Sequence, residues 1–152
     1  MSEQHSTAND TLITAVRSGT LEDLKAALEH GADVNCVWKS GWTPLMLAAG
    51  MGKPEFVQEL LTAKASVDLV DAEGRSALFI GVEGHAECTR LLLEAGADFN
   101  QMNTAGLTPI IRAIATKKIE SLRLLIDAGA DVDLHTQGKY PALCWSILAW
   151  SK

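Results

Sequence analysis

Apolar and polar positions along this 152-residue chain recur with a period near 33 residues, the spacing of a repeat architecture. A large apolar residue followed three places later by a small one appears as Leu12…Ala15, Leu45…Ala48, Leu78…Gly81, Ile110…Ala113 and Leu143…Ser146, in steps of 33, 33, 32 and 33. Residues three apart share one face of a helix, so each pair marks a helix with one inward face. Its start is clearest at Thr43-Pro44. A threonine hydroxyl caps the first turn, and proline suits the first helical position, where no N–H is needed. A second amphipathic stretch follows. In the first unit it runs from about Leu21 to His30, with Leu24, Ala27 and Leu28 inward and Glu22, Asp23, Lys25 and Glu29 outward. Gly31 then ends it in the left-handed conformation that glycine accepts cheaply. Asp10 takes the capping place of Thr43 in this first unit, and Gly19 marks the turn between its helices.

A second motif recurs in phase with the first: Gly31-Ala32-Asp33-Val34-Asn35, Lys64-Ala65-Ser66-Val67-Asp68, Gly96-Ala97-Asp98-Phe99-Asn100 and Gly129-Ala130-Asp131-Val132-Asp133. On these two motifs the chain resembles the ankyrin-repeat family over roughly residues 10–150. The resemblance implies an all-α solenoid of stacked helix-turn-helix units with projecting hairpin-like fingers. Residues 1–9, rich in Ser, Thr, Asn and Gln, are expected to be disordered, and 10–152 to form the ankyrin-repeat domain. Its repeats are placed at approximately 10–41, 42–74, 75–106 and 107–139, with a partial fifth at 140–152.

Several residues depart from the family pattern. Trp38 stands where most fingers have an acidic or amide residue, and Lys64 replaces a helix-ending glycine, at a cost on the order of 1 kcal/mol if it goes left-handed. Repeat three lacks one residue between its helices, because Gly84 follows Gly52 by 32 residues. Arg112 occupies the place of Leu47 and Ile80, where an apolar residue is expected. Met46, Phe79 and Ile111 replace the histidine that usually bonds within the motif. The fifth repeat stops after one helix pattern and offers Tyr140, Leu143, Trp145, Ile147, Leu148 and Trp150 as an apolar end. Such an end is expected to be covered, to belong to a longer array, or to self-associate through Trp145 and Trp150.

Composition narrows the function. The formal net charge of −6 disfavours nucleic-acid backbones and acidic membranes as partners. No apolar run approaches the ~18 residues a membrane span needs. Cys36, Cys88 and Cys144 lie 52 and 56 residues apart, without metal-ligand or redox spacing. The polar N-terminus lacks the apolar core of a signal sequence, and the expected setting is cytoplasmic, nuclear or both, with reduced thiols. The recurring acids Glu22, Glu55, Glu87 and Glu120 fall in the first turn of each second helix, where negative charge is favoured without any catalytic role. Asp33, Asp98 and Asp131 are expected to accept hydrogen bonds within their turns. His5, His30, His85 and His135 show no ligand spacing. No cofactor, metal or catalytic set is predicted.

What remains is surface. The family presents a concave groove of finger tips and first helices. Position by position, the groove here includes Trp38, Lys39, Trp42, Met46 and Met51, then Glu73, Arg75 and Phe79, then Asn103 and Leu107. Trp38 and Trp42 offer the largest contact area, and tryptophan is enriched among binding hot spots. The resemblance implies a non-catalytic protein–protein interaction module, an adaptor or scaffold. The alternative is a small stoichiometric inhibitor or regulator of an intracellular enzyme such as a kinase. It also implies that Asn100 and Asn35 are hydroxylation positions for a 2-oxoglutarate-dependent asparaginyl hydroxylase, Asn100 following Leu91-Leu92-Leu93 at the favoured spacing.

Overall fold

The structure, a computed structural model, describes residues 2–131. The expected partial fifth repeat, with Trp145 and Trp150, lies outside the described residues. Among the described residues eight α-helices follow one another as four pairs: α1 (Ser2–Ser18) with α2 (Leu21–Glu29), α3 (Pro44–Gly50) with α4 (Pro54–Thr62), α5 (Ala77–Gly81) with α6 (Ala86–Glu94), and α7 (Pro109–Ala115) with α8 (Ile119–Asp127). First helices stack on first helices and second on second, so the expected all-α solenoid is present. Leu12, Leu45, Leu78 and Ile110 form one fully buried row along the first helices, with Leu60, Leu92 and Leu125 along the second. Each such side chain contributes roughly 1.5–3 kcal/mol on leaving water. That contribution falls mostly at contacts between neighbours, as in other one-dimensional stacks.

Capping explains where the helices begin. The Thr20 hydroxyl accepts the Asp23 N–H while Asp23 Oδ2 accepts the Thr20 N–H at 2.7 Å. Thr43 and Ser76 likewise accept the N–H of Met46 and Phe79, each at 3.3 Å. Thr108 stands in the same place, but its buried hydroxyl finds no partner among the described residues. His85 caps α6 by accepting the Glu87 N–H, and His30 Nδ1–H donates to the Ala26 carbonyl at 2.5 Å. Both histidines are thus occupied at helix ends. Lys64 does go left-handed, at φ 68°, and Lys117 takes the same conformation in the place of Gly52.

The N-terminus corrects the expectation. Residues 1–9 were expected to be disordered, but the first helix begins at Ser2, and Asp10 lies inside it rather than capping it. Thr11, Thr14 and Ser18 donate their hydroxyls to the carbonyls of Thr7, Asp10 and Thr14, so these polar residues are satisfied within the helix. Asn9 Oδ1 also accepts the backbone N–H of Asp33 at 2.8 Å. This bond opens a ladder. Asn35, Asp68 and Asn100 each accept, through Oδ1, the backbone N–H of Ser66, Asp98 and Asp131 in the following repeat. Asp33 and Asp98 in turn accept the N–H of Asn35 and Asn100, as their turn role requires.

Repeat three absorbs its missing residue in its first helix, which has five residues where α3 has seven. The shortened turn draws Gly84 against the previous repeat, where a Cβ would collide with the Ala49 carbonyl oxygen. Glycine is required there by proximity.

Candidate functional site

Among the described residues three fingers project beside the first helices, and their backbones close alike. The N–H of Trp38, Asp71 and Asn103 donates to the carbonyl of Trp42, Arg75 and Leu107 at 2.8, 3.1 and 2.9 Å. Their side chains differ. Asp71 Oδ1 accepts the N–H groups of Glu73 and Arg75, both at 2.9 Å, and its Oδ2 accepts Arg75 Nε–H at 2.8 Å. Asn103 Oδ1 accepts the N–H groups of Ala105 and Leu107. An indole has no such acceptor, so Trp38 does not brace its own turn. That turn adds a left-handed Ser40, at φ 58°, before the left-handed glycine that all three fingers share as Gly41, Gly74 and Gly106. The half-buried Trp38 ring has two cations over it, Arg17 at 4.7 Å and Lys39 at 5.4 Å from its centroid.

Trp42, also half-buried, stands at the edge of a cavity of about 310 Å³ that spans repeats two to four. Trp42, Phe79 and Ile80 supply its apolar surface, Gly50 and Met51 one edge, and Arg75, Glu83 and Arg112 the polar rim. The Arg75 guanidinium is 5.6 Å from the Trp42 ring centroid and pairs with Asp71 at 2.7 Å and Glu73 at 3.3 Å. Arg112 pairs through Nε with Glu83 of the preceding repeat. This accounts for a charge in a normally apolar place: the side chain crosses between repeats to a counter-charge. A larger, shallower hollow of about 620 Å³ lies where α4 runs into its finger, between Lys64, Leu69 and Ala95, and contains no aromatic residue.

Of the ten groove residues predicted, the cavity brings together Trp42, Met51, Arg75 and Phe79. Lys39 and Glu73 are exposed at finger tips, and Leu107 is half-buried. Asn103 spends its amide oxygen on its own turn. Met46 must be withdrawn as a contact residue, because it is fully buried in the core. Its Sδ accepts the Thr43 N–H at 3.5 Å, the local bond that a histidine makes in the family pattern, so the side chain faces inward. Phe79 is also nearly buried, at 4% exposure, and offers the cavity only its edge. Ile80 and Arg112 were not predicted. The signal for Arg112 was available: a charge at an apolar repeat position needs an opposite charge nearby, and Glu83 is the acid on that face of the preceding repeat. Asn35 is half-buried and Asn100 exposed, both engaged in the inter-finger ladder.

Burial, with Asp33 and Asp10 nearby, pushes the Cys36 thiol up to about 11, and burial does the same to Cys88. Both remain protonated near neutral pH and are poor nucleophiles. Among the described residues no group of three or more His, Cys, Asp and Glu is placed to hold a metal. What the cavity can do is take an apolar side chain and hold polar groups at its rim.

Comparison with known proteins bears on this reading. A family model described as ankyrin repeats in three copies matches residues 12–103 and 84–136. The chain is 35% identical over 117 residues to ankyrin repeat domain-containing protein SAT10 of Stachybotrys chartarum, covering 76% of the chain and 6% of that protein. It is 34% identical over 130 residues to the E3 ubiquitin-protein ligase KEG of Arabidopsis thaliana, covering 83% of the chain and 8% of the ligase. With human ankyrin repeat domain-containing protein 63 the identity is 32% over 112 residues, covering 69% of the chain and 30% of the relative. The chain therefore spans less than a third of the length of each of these three relatives.

Proposed function

The chain belongs to the ankyrin-repeat family, and on that premise we propose that it is a non-catalytic recognition module that binds a protein partner through the groove around Trp42. Repeats of this family generally serve protein–protein interaction. The observation that carries the reading is the cavity of about 310 Å³ bounded by Trp42, Phe79 and Ile80 with Arg75 and Arg112 at its rim. An apolar centre with a polar edge is the usual anatomy of an interface core. The cavity is built from side chains of stacked helices and of fingers closed by backbone hydrogen bonds, so little ordering entropy is lost on docking. Relatives as unlike in name as SAT10 and a ubiquitin ligase share this stretch, which favours recognition rather than a particular chemistry as its contribution. An adaptor or scaffold role follows, with stoichiometric inhibition of one enzyme as the alternative.

The test is site-specific photo-crosslinking in cell lysate. A benzoylphenylalanine at Met51 is expected to capture a partner that the same group at Gln58, on the exposed side of α4, does not. Trp42→Ala should abolish the capture while leaving the helical circular dichroism intact. Capture from Gln58 alone would refute the groove. One enzyme recovered at equal stoichiometry, and inhibited, would favour the regulator reading. Hydroxylation is proposed at Asn100 ahead of Asn35, since Asn100 is the more exposed. Co-expression with the hydroxylase should add the mass of one oxygen to the Asn100 peptide, and an unshifted peptide would end the idea.

A further inference from the structure

Charge is divided between the two sides of the stack. Each second helix, α2, α4, α6 and α8, has more acidic than basic residues. On the groove side the acids are already engaged: Asp71 and Glu73 by Arg75, and Glu83 by Arg112. Arg17 and Lys39 are exposed there and have no carboxylate partner among the described residues. Both are held against the Trp38 ring. In repeat register Arg17 occupies the place of Gly50, which lines the Trp42 cavity, so the cationic pair continues that cavity toward the N-terminal end of the groove.

We propose that the partner segment is an extended acidic peptide, with Asp or Glu carboxylates paired to Arg17 and Lys39 beside Trp38 and an apolar side chain in the cavity at Trp42. This rests on the groove being the recognition surface and adds the chemistry of what it recognises. The unpaired cations attract carboxylates at one end, while the acidic second helices repel the same segment from the other side. Stacking on an indole holds the two cations in place before the partner arrives, which reduces the ordering cost of each charge pair.

The test uses short fluorescent peptides built on the repeats Glu-Glu-Leu, Gln-Gln-Leu and Lys-Lys-Leu, with a short oligothymidylate as the phosphate-bearing control. Binding is read by anisotropy at low and at physiological salt. The Glu-Glu-Leu peptide is expected to bind roughly tenfold tighter than Gln-Gln-Leu at low salt, an advantage that salt erodes. Arg17→Gln/Lys39→Gln should remove that advantage, and Arg17→Glu/Lys39→Glu should reverse it. Trp42→Ala should weaken both peptides alike. Each variant is first matched to the native chain by circular dichroism. Equal binding of the Glu and Gln peptides, tighter binding of the Lys peptide, or indifference to both charge variants would overturn the acidic partner while leaving the groove intact if Trp42→Ala still weakens binding. Binding of every peptide untouched by Trp42→Ala would refute the groove itself. Oligothymidylate competing as well as the Glu peptide would overturn the peptide assignment in favour of a nucleic acid.

Discussion

Replacing Asp71 by Asn keeps an acceptor for the backbone of its finger but removes the charge that Arg75 grips. The expected loss is about 1–3 kcal/mol, measured as a shift of the urea midpoint. The pH dependence has a definite sign. Burial pushes the Asp71 carboxyl up, but the Arg75 side chain and the N–H groups of Arg75 and Glu73 outweigh it and hold the carboxyl below its usual range. A depressed carboxylate adds stability at pH above its unfolded value, near 4, and loses it as pH falls through its folded value. The thermal midpoint of the native chain should therefore drop on acidification below about pH 4, with a shallower drop in Asp71→Asn. Trp38 presents the converse case. Trp38→Asp loses part of an apolar contact, about 1–2 kcal/mol, and gains an acceptor that can brace its turn, worth about the same. Stability should change little while partner capture falls, separating the role of this residue in binding from its role in folding.

At the level of helices and turns, the sequence located nearly every element because each boundary has a local chemical cause. Thr43-Pro44, Ser76 and the glycines after the second helices mark their own positions. The first helix was expected from about Asp10, and its extension back to Ser2 was missed because those polar residues resemble loop composition; what satisfies this end is a set of hydroxyl bonds to preceding carbonyls and one bond from Asn9 to a distant turn. Met46 was misplaced for a related reason. Register put it on the groove side, but an apolar side chain at that position turns inward, and only packing shows this. The turns make two opposite predictions. Lys64→Gly should raise stability by about 0.5–1 kcal/mol, since a left-handed lysine is strained. Gly84→Ala should lower it by more than about 2 kcal/mol, since the new methyl meets the Ala49 carbonyl. Equilibrium urea unfolding reads both.

Across the whole molecule, the repeats behave as neighbours joined in a line, and Arg112–Glu83 is one of the few charged links between them. Both side chains are about 39% exposed, so Arg112→Leu should cost less than about 1 kcal/mol while altering the cavity rim and partner binding. The ladder of finger bonds has a consequence for exchange with solvent. Three of its amide hydrogens, on Ser66, Asp98 and Asp131, belong to exposed turns yet are held by the repeat before, while that of Asp33 is held by Asn9 of α1 in its own repeat. Each of those three is released only when its one junction opens. In deuterium oxide they form a comb of slow signals, one tooth per junction, against rapidly labelled loops. The rate at each tooth reports where along the line the stack first comes apart, and a partner bound in the groove would slow the teeth it spans.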